Sequence, residues 1–583
     1  YNGSTGTVNI KNSDVKSTKV YGIQNYSTGI INITGNTSVT SEKSRGINNE
    51  STGIINIGEK DGNVSTETPI ITGKTYGIYN NSNNSVFNFY DGVIKGETGA
   101  IYGKVNDIET NYEIITKTEN GVESKYLAQL PVAKIVSTDK EYLTLQEAFD
   151  ESESGDTIQM LRNVTTLSTS QSTTISEEKN AILDLNGFTM NSSTPKTFVN
   201  NGTLKIVDSS EEKQGILIGT GVMLIENNNS LTIEETKLST LLTVPQLIDN
   251  KGTTVINSST IIAVNTENGT INNEENGILK ITDSTISKTD TTGRNILNSG
   301  IATIDNTNFS FKYSYSYRGR WYNISNSETG NLTLTGGTYS GGYFIYNEGN
   351  ATINDLIDTS NSDDDMYNSG GTLNLNNIDK SNSSSPVSNK NNGTINITGG
   401  SYHKYISNSS SNLNINEATI NTSDNGLSND YSGVVTIKNS TITSNSTGIS
   451  NGEGIINLIN STVSSKYYSI NNHSTGTINV TGATNITSTE NHGIYNDSKG
   501  TVNIGEKDGN VSTKTPIITG KTYGIYNNNN SGILNFYDGI IKGGTGAIYG
   551  KVTDIEQDYE IITKTENGVE SKYLAQLPVA KIV

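Results

Sequence analysis

The sequence predicts an all-β fold, a parallel β-helix or β-solenoid with three short strands per rung of about 22 residues. Three observations predict it: a recurring strand motif, strict alternation within each strand, and an Asn that returns at one place in every rung.

The strand motif is G-T-I-N-I. It stands as Gly6 to Ile10, Gly371 to Leu375, Gly393 to Ile397, Gly433 to Ile437, Gly476 to Val480 and Gly500 to Ile504. Its last apolar residue falls at 353, 375, 397, 415, 437, 458, 480, 504 and 536, a step of about 22 that lengthens where a loop is inserted. Each period adds two further strands. One is like Ser440 to Ser444, and the next is like Tyr76 to Asn80, with Asn, Ser and Gly turns between them. Alternation sends Ile or Val to one side and Thr, Asn or Ser to the other. No rung shows a period of 3.6, which argues against a helical solenoid.

The third strand ends on Asn298, Asn326, Asn347, Asn368, Asn389, Asn408, Asn429, Asn451, Asn472, Asn496 and Asn527. At a rung spacing of about 4.8 Å these amides are expected to form a hydrogen-bonded ladder. The N-x-S/T sequons that such turns create are read as turn chemistry.

A second, longer repeat encloses the first. Glu560 to Val583 copies Glu113 to Val136 letter for letter, 447 positions on. Tyr21 falls on Tyr468, Gly58 on Gly505, Pro69 on Pro516 and Tyr126 on Tyr573. The second copy stops where the unique stretch Ser137 to Phe149 would begin again, so the chain is expected to be a window on a longer tandem array. The expected parts are the end of a preceding β-helix unit (1–111), a hairpin and strand junction (112–136), a cap helix with first rungs (137–200), further rungs (201–558) and a second junction (559–583).

Each junction has its own signal. Thr144-x-x-Glu147 reads as a capping box, and Leu145, Ala148 and Phe149 give the short helix one apolar face that can cover the open end of a stack. Strands follow at 157–161 and 181–187. Glu119-Asn120-Gly121 lies between two strand-like runs, 112–116 and 122–126, and predicts a β-hairpin with an Asn-Gly turn. No Gly/Ser linker separates Val136 from Ser137, which suggests a stiff joint.

The motifs L-Q-E-A-F-D, G-D-T-I-Q-M-L-R-N-V-T and I-L-D-L-N-G-F-T resemble the start of pectate-lyase-like right-handed parallel β-helix regions in large repetitive surface proteins of low-GC Gram-positive bacteria. The resemblance runs from about Ser137 to Gly550. It implies right-handed winding and a role in adhesion or cell-surface structure.

Composition narrows the function classes. The chain has 40 Lys and Arg against 59 Asp and Glu, a formal charge of −19, which disfavours nucleic acid and anionic membranes as partners. It contains no Cys, so disulfides, thiolate metal sites and a Cys nucleophile are excluded. It has no run of 18 apolar residues to insert into a membrane. The Asn, Ile, Lys, Ser and Thr usage has the flavour of an AT-rich bacterial genome. The chain begins at Tyr1, so a signal peptide has either been removed or lies outside this window.

Signatures of polysaccharide-cleaving β-helix enzymes are absent. None of His403, His473 and His492 sits in Gly-His-Gly, and none of Arg45, Arg162, Arg294, Arg318 and Arg320 sits in Arg-x-Lys. Asp363, Asp364 and Asp365 form the densest acidic run. They are weak candidates for a cation such as Ca²⁺, or a carboxylate pair, against the plainer reading of a solvated turn. Gly58 to Asn63 and its copy at Gly505 have a faint likeness to a Ca²⁺ loop, and a plain turn is favoured. Candidate glycan-binding residues are Tyr313, Tyr315, Tyr317, Arg318, Arg320, Trp321 and Tyr322, since aromatic planes beside Arg suit sugar rings. The plainer reading has Phe309 and Phe311 filling a wide core and the tyrosines covering a loop. Tyr346, Tyr367, Tyr495 and Tyr526 are expected to point outward from the third strand. They form either a lateral docking stripe between fibres or simply a strand-forming choice.

These readings converge on a non-enzymatic, extracellular, cell-surface or cell-wall fibre or adhesin stalk, with no cofactor. Its expected partners are further copies of the same unit in tandem or in a filament, and glycans or host surfaces. The rivals are a polysaccharide-binding adhesin and a polysaccharide lyase or hydrolase of the β-helix class. The complete unit is expected to hold 17 to 19 rungs, hence a rise of roughly 80–90 Å.

Overall fold

The structure is a computed structural model that describes residues 1–220, 223–244, 246–266, 268–289, 293–311, 321–360, 366–528 and 531–578. The chain divides into two compact units. One comprises residues 1–132 and 141–144, the other 133–140 and 145–583.

Both units are parallel β-solenoids. Three sheets run the length of the larger stack and hold 20, 19 and 17 strands among the described residues, and a two-stranded sheet accompanies them. Pairing along the stack is parallel, with antiparallel pairs at its ends. We call the three sheets A, B and C in the order in which the chain visits them. Sheet A carries the G-T-I-N-I strands. Thr394–Thr398 pairs in register with Asn412–Asn416, so Ile395 sits on Leu413 and Ile397 on Ile415. Sheet B carries strands such as Thr441–Ser444, and sheet C carries strands such as Ile449–Asn451. The smaller unit has corresponding sheets of five, six and four strands, the six including an antiparallel hairpin.

The core is a set of apolar columns. Ile395, Leu413, Val435, Ile456 and Ile478 in sheet A, and Ile420, Ile442, Val463 and Ile486 in sheet B, are fully buried. The alternation read from sequence is what places them there: a one-residue slip would turn every one of them to solvent. The turn between sheets A and B needs one left-handed residue per rung, and successive rungs supply Asn377, Gly399, Glu417, Asn439, Asn460 and Gly482, all with φ between 50° and 67°.

Inside the wall of the larger unit runs an unbroken ladder of fifteen asparagines from Asn200 to Asn527. Each Nδ2 donates to the Oδ1 of the next rung, at 2.7 Å from Asn298 to Asn326 and 2.9 Å from Asn429 to Asn451. Asn25, Asn49 and Asn80 make a shorter ladder in the smaller unit. The second amide hydrogen holds the following turn, as where Asn472 donates to the carbonyl of Gly476 at 2.9 Å. This packing explains the glycine that opens the G-T-I-N-I motif. A Cβ on Gly500 would stand 2.1 Å from Asn472 Nδ2, and one on Gly476 would stand 2.2 Å from Asn451 Nδ2. The eleven expected rungs all join the ladder, and Asn200, Asn227, Asn250 and Asn273 extend it.

The helix Leu145–Glu151 buries Leu145, Ala148 and Phe149 at the start of the larger unit. Gln146 uses its side-chain amide as a strand would use its backbone. It accepts from the N–H of Thr174 at 2.7 Å and donates to the same residue's carbonyl at 3.0 Å, closing the first edge of sheet C. Lys179 Nζ in turn caps the carbonyls of Asp150 and Ser152. At the other end the hairpin Tyr559–Glu566 and Val569–Gln576 lies antiparallel on Ile540–Gly543. Asn567 and Gly568 form its positive-φ turn, as expected for Asn-Gly. Glu570 Oε1 accepts from the N–H of Ala547 on the last strand of sheet C. The smaller unit ends in the same way, with Glu123 accepting from Ala100 N–H at 2.9 Å. The strand Ala133–Ile135 belongs to the larger unit, pairing antiparallel with Asp156–Met160.

Candidate functional site

Outward residues of sheet C stand in one register column. It runs Ser325, Tyr346, Tyr367, Ser388, Ser407, Ser428, Ser450, Asn471, Tyr495, Tyr526 and Tyr549. In-register parallel strands set neighbouring rings one rung apart, so the tyrosines gather into two stacked faces.

On the first face Tyr346 stacks on Tyr367, with centroids 5.6 Å apart and planes 14° from parallel, and Tyr322 tilts against Tyr346 at 5.4 Å. Lys390 Nζ lies 5.4 Å from the Tyr367 ring. With Arg294 and Glu348 these side chains border an open concavity of about 670 Å³. Tyr346 donates to Glu348 Oε1 at 2.8 Å, and burial is the main cause that lifts its phenol above the ordinary range. Trp321 lies with its ring centroid 5.6 Å from the Arg294 guanidinium, and its indole N–H is buried with no partner among the described residues. Burial lowers the Arg294 pKa from its ordinary value. Phe309 and Phe311 lie in the core. Tyr313, Tyr315, Tyr317, Arg318 and Arg320 lie outside the described residues, as do Asp363, Asp364 and Asp365.

The second face comprises Tyr468, Tyr495, Tyr523, Tyr526 and Tyr549 with His492 among them. Tyr526 lies 4.4 Å from Tyr549 and 5° from parallel, and His492 stacks on Tyr526 at 4.5 Å. Burial pushes the imidazole down to about 4, so it is neutral at pH 7. Its Nδ1 lies 2.7 Å from Thr522 Oγ1. Burial together with Asp497 pushes the Tyr495 phenol up to about 12. In the smaller unit the same position of the long repeat is Arg45, whose guanidinium sits 3.3 Å from the Tyr79 ring centroid, and Tyr79 stacks on Tyr102 at 4.4 Å. One slot thus holds a permanent cation in one copy and a neutral ring in the other. Comparing the two copies position by position would have exposed this slot, because Arg45 and His492 are 447 residues apart.

The loops with a faint Ca²⁺-loop likeness form the wall of a groove in each unit. Lys507 Nζ pairs with Asp554 at 2.8 Å, Tyr537 donates to the same carboxylate at 2.9 Å, and Glu556 accepts from the N–H of Asp508. Lys60, Asp107, Tyr90, Glu109 and Asp61 repeat these contacts. Lysine and tyrosine both bond the carboxylate and hold it below its ordinary value, which is ion-pair chemistry. A second, outer asparagine ladder runs along each groove, Asn457–Asn479–Asn503–Asn535 in one copy and Asn9–Asn32–Asn56–Asn88 in the other, and the first three members of each line it. The grooves measure about 560 and 570 Å³. Among the described residues no group of three or more His, Cys, Asp or Glu is arranged to hold a metal ion.

No protein-family model, curated protein or solved structure matches this chain.

Proposed function

We propose that this protein is a structural element of an extracellular fibre or adhesin stalk, assembled from tandem β-solenoid units and attached to a bacterial cell surface or wall. The observation that supports this most is the continuous inner asparagine ladder, closed at both ends of the larger unit by side chains that satisfy the sheet edge. Such a stack has only nearest-neighbour turns to hold it, and each junction between turns repeats the same bonds. The 447-residue repeat supplies a way to lengthen it, and the bacterial β-helix surface proteins that the cap region resembles point to the same location. Twenty strands at about 4.8 Å give the larger unit a sheet of roughly 90 Å. Electron microscopy of the native material tests the reading: a thin filament with an axial repeat close to one unit is expected, and its absence overturns the proposal.

The first tyrosine face favours a second reading, a glycan-binding adhesin. Ring faces at Tyr346 and Tyr367, with Lys390, Glu348 and Arg294 at the border, offer stacking and hydrogen bonds to a sugar. Tyr367→Ala is expected to abolish glycan-array binding without moving the melting temperature by more than a few degrees. Equal binding by the variant removes this face from consideration.

A further inference from the structure

One inward column of sheet B breaks the apolar rule. Tyr339 pairs with Asp358, Lys380 pairs with Tyr402, and because Ile357 pairs with Asp379 the next residues, Asp358 and Lys380, face each other on adjacent turns. Both side chains are only 1% exposed, and Lys380 Nζ bonds Asp358 Oδ2 directly. The surroundings are specific. The N–H of Ser360 donates to Asp358 Oδ1 at 2.9 Å. Ser383 Oγ accepts from Lys380 Nζ at 3.2 Å and donates to Asp358 Oδ2 at 3.2 Å, so one hydroxyl touches both the amine and one carboxylate oxygen. Leu356 and Ile378, also fully buried, lie two residues before the pair on the same two turns.

We infer that Lys380 and Asp358 become joined by a side-chain amide, a covalent staple between consecutive turns. Desolvating two ions is costly, and the step begins with transfer of one proton from Nζ to Oδ2 along the hydrogen bond that joins them. The Nζ lone pair then attacks Asp358 Cγ. The C–N bond forms, and the charge that develops on Oδ1 is stabilised by the Ser360 N–H. The Cγ–Oδ2 bond breaks and Oδ2 leaves as water. That water carries the acid proton and one proton from nitrogen, the latter passed by Ser383. An ammonium and a carboxylate become one amide and one water, with no change of oxidation state. The neutral amide removes both buried charges, and the expelled water leaves a site that bulk water does not reach.

Mass spectrometry of the intact full-length chain after denaturation tests the inference. The expected mass is one water below that of the sequence, with the proteolytic peptides bearing residues 358 and 380 recovered as one branched species. A chain at full sequence mass overturns it and leaves an ordinary buried ion pair. Loss of water with the two peptides recovered free overturns it equally. Lys380→Met, similar in length, is expected to restore the full mass. In Ser383→Ala the uncross-linked fraction is expected to exceed that of the wild type at least several-fold, and an equal fraction removes the relay. The result is independent of whether the native material forms a fibre.

Discussion

Asn429 shows what a single residue does here. Its amide donates to Asn451 Oδ1 and to the Gly433 carbonyl, both at 2.9 Å, and its own Oδ1 accepts from Asn408. Asn429→Ala takes the acceptor from one buried N–H of Asn408 and the donor from the buried Oδ1 of Asn451. A loss of about 1–3 kcal/mol is expected in urea unfolding. Gly500→Ala is expected to cost a similar ~1–3 kcal/mol, because its Cβ would overlap the Asn472 amide and the wall has no room to yield. His492 carries a pH signature. Its folded pKa of about 4 lies below the ordinary 6.5, so between those values the unfolded chain binds a proton that the folded chain does not. Stability from this group therefore falls as pH drops from about 6.5 to about 4. His492→Gln is expected to flatten that part of the stability profile relative to wild type, measured by thermal melting across the same buffers.

At the scale of elements, the strands need one another and the ends need covers. Edge strands with free N–H and C=O groups are templates for unwanted pairing. The cap helix covers the first edge of sheet C through Gln146, and the hairpin covers the last through Glu570. Phe149→Ala is expected to destabilise the larger unit by about 3–5 kcal/mol and, by loosening the helix, to promote self-association seen by light scattering. Cap, hairpin and rung strands were all legible in sequence, because each has a local signature: the apolar face of Leu145, Ala148 and Phe149, an Asn-Gly turn, a period of two. The strand Ala133–Ile135 is a different case. Its letters read only as part of a junction, and pairing with Asp156–Met160 some 25 residues on assigns it to the second solenoid.

At the scale of the whole molecule, the contacts are between neighbouring turns, so stability should behave as a sum of nearest-neighbour terms within each unit. Paired substitutions at Asn429 and Asn451 are expected to couple by at least ~0.5 kcal/mol, while the pair Asn227 and Asn496 should add within that margin. A double-mutant cycle in urea makes the comparison. The sequence alone determined that this protein is a solenoid, with its period, inward residues, inner ladder and two kinds of end, because those properties repeat and each is set by residues close in the chain. Only the tertiary structure decided what the rungs bring together. The His492 slot among tyrosines, the grooves beneath the Gly58 and Gly505 loops, and the buried Lys380–Asp358 pair unite residues 17 to 48 positions apart. Insertions of unequal length between rungs hide which letters become neighbours. Register is settled when the columns pack, and that is a property of the stack.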